Sequence, residues 1–228
     1  MTDDRLRVDW CSTAAARFAV ENWHYSKTMP TAKTVRCGVW WGDEFRGAVV
    51  FGMACRNGHK MFRLKDTEVC ELARVALDQH PEFTVTAVMS RALKLLRQQC
   101  PGIRIIVSFA DPAEGHIGRI YQASNWIYCG RSAPARALML NGQKLHRRAY
   151  TGVNHGRARM PIPPGAVWVA TPPKFRYVMP LDRRARRLVE RMRKPYPQPA
   201  DARAAGPRHQ PGETVRPHPS ASTTQQGE

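Results

Sequence analysis

A strand, a helix and a second strand follow one another near the middle of this chain, and that succession constrains its fold more than any other feature. Residues 69–77 are rich in β-branched and apolar side chains. Residues 84–99 place Val85, Val88, Met89, Ala92, Leu95 and Leu96 at helical spacing and stop at Pro101-Gly102. Residues 103–110 are then a short apolar run closed by Asp111-Pro112. A crossover helix between two strands of one sheet makes them parallel neighbours with a right-handed connection. The expected fold class is α/β, built on a mixed sheet. Ligands in such sheets bind beyond the strand ends, where neighbours diverge. Two turns qualify, one after Leu77 and one after Ala110.

The flanking segments extend this unit. Residues 13–22 are alanine-rich and helical, with Ser12 or Thr13 as cap. Residues 34–41 and 47–55 are strands joined through 42–46 as a hairpin, residues 118–124 are a short helix ended by Asn125, and 126–129 begin another strand. With 43% hydrophobic and 24% charged residues, a chain of 228 can bury one substantial core. No apolar run approaches the roughly 18 residues of a membrane span. Met1-Thr2-Asp3-Asp4-Arg5 also lacks the basic-then-apolar order of a signal peptide. A soluble, cytoplasmic protein without a membrane partner is expected. The cysteines (Cys11, Cys37, Cys55, Cys70, Cys100, Cys129) show no zinc-type spacing and are expected to be reduced and mostly buried.

The net charge of +18 is unevenly spread. Residues 1–140 carry 19 Lys/Arg and 13 Asp/Glu, residues 141–194 carry 14 and 2, and residues 195–228 carry 3 and 3. This divides the chain into a core (1–140), a basic extension (141–194) and a Pro-, Ser- and Gln-rich tail (195–228) expected to be disordered. Within the extension, Arg147, Arg148, Arg157, Arg159, Lys174, Arg176, Arg183 and Arg184 are interleaved with Tyr150, Trp168, Phe175 and Tyr177. Cations neutralise phosphates and aromatic faces hold unstacked bases, so the block favours nucleic acid over a merely solvated basic helix.

Local chemistry marks several candidate site residues and leaves their roles open. Thr84 and Thr86 open the crossover helix, where hydroxyls and free N–H groups either bind an anion or simply cap. Asp111 follows an apolar strand and Tyr121 lies ten residues on; the pair suits proton transfer, or a cap and a packed ring. His24-Tyr25, at the end of the first helix, suits a proton relay, a metal ligand or a dipole partner. His116 reads by default as a solvated loop residue.

Residues 115–130, with Tyr121 in a short helix and a strand after it, resemble the last helix and strand of GCN5-related N-acetyltransferases (GNAT). More closely, His24-Tyr25-Ser26, Cys70-Glu71-Leu72-Ala73-Arg74, Val107-Ser108-Phe109-Ala110-Asp111-Pro112 and Ile120-Tyr121-Gln122-Ala123-Ser124-Asn125-Trp126 resemble the Mom DNA-modification proteins of Mu-like phages, an offshoot of that fold. The resemblance covers about residues 20–132. It implies a GNAT-like core and a function: conversion of the exocyclic amine of adenine in phage DNA to a carbamoylmethyl form that host restriction enzymes do not cut. It also implies catalytic roles for His24, Tyr25, Asp111 and Tyr121, and an acetyl-CoA or related acyl-CoA cofactor. The family's helix-start serine has no direct match here; Thr86 or Ser90, beside Thr84, would take its place. An iron requirement goes with the family, and His24 and Tyr25 would be its contacts. Implied partners are double-stranded DNA and acyl-CoA, with a homodimer admissible. Two other readings share these features: an ordinary GNAT acting on a small amine or protein, and a non-catalytic nucleic-acid-binding protein. Acyl transfer alone would leave an amide, so a carbamoylmethyl group requires a further nitrogen donor.

Overall fold

Both long helices start on hydroxyl caps. Ser12 Oγ accepts the Ala15 N–H and opens α1 (Thr13–Trp23), and Thr84 Oγ1 accepts the Ala87 N–H and opens α2 (Val85–Gln99), which closes at Cys100. The structure, a computed structural model, describes residues 5–53, 58–78, 81–145, 150 and 160–203. Its strands are β1 (Leu6–Trp10), β2 (Thr34–Trp41), β3 (Glu44–Met53), β4 (Val69–Leu77), β5 (Ile105–Ala110), β6 (Ile127–Arg131), β7 (Ala135–Leu140), β8 (Gln143–Leu145), β9 (Val167–Thr171) and β10 (Phe175–Pro180). Among the described residues they are joined by three short α-helices, α3 (Arg119–Ala123), α4 (Arg183–Glu190) and α5 (Pro199–Arg203).

The main sheet has seven strands in the order β1-β2-β3-β4-β5-β10-β6. Its pairs are antiparallel except β4 and β5, the parallel pair that the crossover α2 demands. One face packs Val88, Met89, Ala92 and Leu96 of α2 and Tyr121 of α3 onto Val49, Phe51, Leu72 and Ile106. The opposite face carries α1, through Ala16, Ala19 and Val20 on Ala48, Val50 and Ala76, and α4, through Ala185 and Val189 against Ile105, Val107 and Val178.

Two irregularities shape the middle of this sheet. Val50 pairs with Arg74 while Phe51 pairs with Leu72, so Ala73 is the extra residue of a β-bulge. The bulge shifts the phase of β4, bringing Leu72 and Val75 onto the same core face although they are three residues apart. The β4–β5 ladder also ends early, at Glu71 opposite Val107, and beyond that pair no further rung joins the two strands.

Two boundaries differ from expectation. The core does not end at 140: β10 sits between β5 and β6, with Phe175, Tyr177 and Val178 wholly buried. Residues 132–174 are therefore an insertion, and its small sheet has the order β8-β7-β9. The insertion closes at its neck, where Ser132 N–H donates to Lys174 O at 2.8 Å and Lys174 N–H donates to Ser132 Oγ at 3.0 Å. The segment after 194 is also partly ordered: Tyr196 donates its hydroxyl to Trp126 O at 2.7 Å, and Ala202 of α5 is buried. The remainder of the expected tail lies outside the described residues.

Burial raises the thiols of Cys37 and Cys70 to about 12 and that of Cys129 to about 11, so all three stay protonated. Cys55 lies outside the described residues. Among the described residues no helix is long and apolar enough to cross a membrane.

Candidate active site

Where β4 and β5 part, a cavity of about 440 Å³ opens between the end of α1, the bulged stretch of β4, the end of β5 and the loop into α3. Its lining includes Trp23, His24, Tyr25, Arg74, His116 and Tyr121. Three of the four expected catalytic residues thus converge from positions nearly a hundred residues apart.

His24 is the C-cap of α1, its N–H donating to Val20 O. Its Nδ1 accepts the Ser26 N–H at 3.1 Å and lies 2.9 Å from Ser26 Oγ, which assigns the ring proton to Nε2. Burial, followed by the charges of Arg74, His116 and Lys27, lowers its pKa to about 4. His24 is therefore neutral at physiological pH and presents one N–H. Tyr25 stacks over it, ring centroids 4.4 Å apart, and meets His116 edge-on at 5.2 Å. Arg74 is braced by two carbonyls, Nε donating to Thr28 O at 3.0 Å and an amino group to Ala73 O at 2.7 Å.

Tyr121 is almost fully buried, and burial raises its phenol to about 12. Its hydroxyl lies 2.8 Å from Ser108 Oγ. The loop before it is fixed by Tyr177, which donates to Ile117 O and receives a hydrogen bond from Gln122 Nε2 at 2.9 Å. Gly118 is required there: its φ is +80° and any Cβ would press on the Tyr177 and Tyr121 rings.

Of the two roles left open for Asp111, the structure shows the cap. One oxygen caps the turn that follows, accepting the Ala113 N–H at 3.1 Å, and the other pairs with Lys174 Nζ at 2.7 Å. A carboxylate committed on both oxygens orients its loop and its cation. Thr84 is likewise a helix cap, shared with Thr86 Oγ1 at 2.9 Å. Thr86 and Ser90 line a second groove of about 650 Å³ along α2, with Lys94, Arg97, Ser124 and Arg186.

Among the described residues, those expected to hold DNA lie at the two ends of β10. Lys174 faces Asp111 at the cavity end of β10, where Arg176 donates to Arg131 O at 2.8 Å. Arg183 and Arg184 are exposed at the start of α4, beyond the other end of β10, about 17 Å of strand away. Arg147, Arg148, Arg157 and Arg159 lie outside the described residues. Arg74 and Ser108 lie in sequence motifs that gave them no role, Trp23 carried no signal, and His116 reads from sequence as a solvated loop residue. The glycines at 115 and 118, which turn this loop back over the strand ends, were the available signal for His116.

The donors do not fit the iron site that the resemblance implied. Among the described residues no three of His, Cys, Asp and Glu gather where they could hold a metal ion. His24 Nδ1 is already occupied, burial keeps the proton on Tyr25, and the Arg74 charge acts on both.

The sequence matches the profile of the Mom protein family over residues 5–198. The chain belongs to the Mom protein family. It is 30% identical over 202 residues to the methylcarbamoylase Mom of Escherichia phage Mu, covering 85% of this chain and 83% of that protein. Among solved structures it is similar to a Bacillus subtilis acetyltransferase in complex with CoA (TM-score 0.42, 14% identity, 78% of this chain and 99% of the other). It is also similar to YncA of Salmonella typhimurium, described as an acetyltransferase and solved with acetyl-CoA (TM-score 0.44, 12% identity, 79% and 96%). The Mom region takes in β10, so the strand between β5 and β6 belongs to the family's part of the chain. The mixed α/β architecture expected from the sequence is the one observed, with a single parallel pair and a crossover helix.

Proposed function

We propose that this protein is a DNA-modifying transferase that converts the exocyclic amine of adenine to its carbamoylmethyl form, using an acyl-CoA, and so shields phage DNA from restriction in the host cytoplasm. The observation that carries this reading is the convergence of His24, Tyr25 and Tyr121 on one cavity in a Mom-family chain whose relative is a methylcarbamoylase. An adenine inside a duplex cannot reach such a cavity, so the base is extruded or taken from distorted DNA. Trp23 and Tyr25 supply aromatic faces for it, and the neutral His24 supplies an N–H. Arg74 places a cation beside the base, and Lys174, held by Asp111, places a second at the edge of the site. The groove along α2 supports the acyl-CoA assignment, since Thr86, Ser90, Lys94 and Arg97 offer hydroxyls and positive charge to its phosphates. Arg131, Arg176, Arg183 and Arg184 are assigned to the DNA backbone.

Nucleoside mass analysis of plasmid DNA from cells expressing the protein tests this reading. The expected product is deoxyadenosine bearing a carbamoylmethyl group in place of one hydrogen. Unmodified deoxyadenosine in the presence of abundant folded protein overturns it.

A further inference from the structure

Ser108 is one of two buried polar side chains in the described core, at 1% exposure, and the sequence motifs gave it no role. It stands where the β4–β5 ladder ends. Glu71 and Val107 form the last rung, and the next residues, Leu72 and Ser108, are joined through a side chain: Ser108 Oγ lies 2.8 Å from Leu72 O. The same oxygen lies 2.8 Å from the Tyr121 hydroxyl.

A serine hydroxyl has one proton and a carbonyl has none. Were Ser108 to give its proton to Tyr121, two bare oxygens would face each other at 2.8 Å inside the core, and the Leu72 carbonyl would lose this partner. The Ser108 proton therefore goes to Leu72 O, and Tyr121 must donate to Ser108 Oγ. The phenol proton points into the protein, and the phenol's lone pairs are left for the occupant of the cavity, which Tyr121 lines.

We propose that Ser108 is a positioning residue that sets the direction of the Tyr121 hydroxyl, so that Tyr121 meets the substrate as a hydrogen-bond acceptor for an amine N–H. The substrate class this selects is an amine that keeps an N–H when bound; the inference rests on the DNA-modification reading for the identity of that amine. Ser108 also holds the parted strands together at the apex of the cavity, so strand separation and phenol orientation share one hydroxyl. Desolvation raises the Tyr121 phenol to about 12, so the proton it donates to Ser108 is in place at physiological pH.

The test compares Ser108→Ala, Ser108→Thr, Tyr121→Phe and the double variant Ser108→Ala/Tyr121→Phe in full-length protein, reading the rate at which plasmid deoxyadenosine is modified. Ser108→Ala is expected to lower the rate at least tenfold, Ser108→Thr to restore most of it, and Ser108→Ala to add nothing in the Tyr121→Phe background. In protein labelled at the tyrosine Cζ carbon, the alkaline midpoint of Tyr121 should move downward in Ser108→Ala, where the phenol proton loses its acceptor, and an upward move overturns the proposal. A full rate in Ser108→Ala, or an equal loss from it with and without the Tyr121 hydroxyl, overturns the proposal. If wild-type protein modifies no adenine, the functional reading fails, and the tyrosine titration still decides the pairing of Ser108 with Tyr121.

Discussion

The two ends of β10 hold positive charge in different ways. At the Phe175 end, Lys174 is tied to Asp111 at 2.7 Å, and Arg131 lies over the Phe175 ring at 4.8 Å while its carbonyl receives Arg176. Beyond the Pro180 end, Arg183, Arg184, Arg187 and Arg191 are exposed and have no acidic partner among the described residues. The helix that carries them is nevertheless firmly mounted. Its cap Asp182 receives Arg104 at 2.7 and 3.2 Å, and Arg104 also pairs with Glu68. A tied cation fixes geometry and acts over one hydrogen bond. An exposed one acts through the field it adds, which salt screens within about 8 Å at physiological ionic strength. The basic block that composition treats as one thing is thus two arrangements, one paired beside the cavity and one exposed to solvent.

The largest effect is expected at the tied end. Gly118→Ala must place a Cβ at φ +80°, 2.7 Å from Tyr177 Cζ, and that ring is held by Ile117 and Gln122. Strain and overpacking together should cost about 3 kcal/mol in urea unfolding. A loss below about 1 kcal/mol would show that the loop is not tied in this way.

A pH-dependent loss of similar size should come from His24. Its folded pKa of about 4 lies below the ordinary 6.5, so the unfolded chain takes up the proton first. The contribution is complete above pH 6.5, falls as pH drops from 6.5 towards 4, and is spent below that, at most on the order of 3 kcal/mol. His24→Gln, which cannot titrate, should flatten that segment of the stability curve. An unchanged slope would mean that another group is responsible.

The third test sets the two ends of β10 against each other. Arg183→Ala/Arg184→Ala should weaken duplex binding about tenfold and reduce the salt slope by about 2, with the rate at saturating DNA unchanged. Lys174→Met should do the reverse, lowering the rate and leaving the slope within about 1 of wild type. Equal behaviour of the two variants would remove the distinction.

What could be read in advance follows from which forces are local. Ser12 and Thr84 cap their helices as the sequence indicated, and β2 and β4 occupy the expected 34–41 and 69–77. Capping and side-chain period are decided within a few residues. The position of β10 is not. Phe175, Tyr177 and Val178 are strand-like, but nothing within 175–180 states that the strand enters between β5 and β6, and the arginines around it drew attention to charge. Leu6–Trp10 alternates apolar and polar residues as an edge strand should, yet only its pairing with β2 gives it a place. The site divides in the same way. His24, Tyr25 and Tyr121 were legible as motif residues, whereas the pairing of Asp111 with Lys174, 63 positions along the chain, and the approach of His116 to Tyr25 exist only once the loops have closed. Ser108 carried no signal of its own, because a serine in a buried strand is marked only by what it touches.

The smallest effect tests where the tied region stops. Tyr196 follows the basic helix, in a stretch that composition assigns to the tail, yet its hydroxyl reaches Trp126 O at 2.7 Å and its ring lies 6.4 Å from that of Tyr177. If residues 195–203 belong to the cavity end, Tyr196→Phe removes one partly buried hydrogen bond at constant packing and should cost about 1 kcal/mol. Arg187→Ala, an exposed change on α4, should stay within about 0.5 kcal/mol. The difference between these two variants is the comparison in its most economical form, since both residues follow Pro180 and only one is bonded to the element that ends the Tyr121 helix. Indistinguishable unfolding curves would place Tyr196 with the exposed arginines and move the boundary of the tied region back to Lys194.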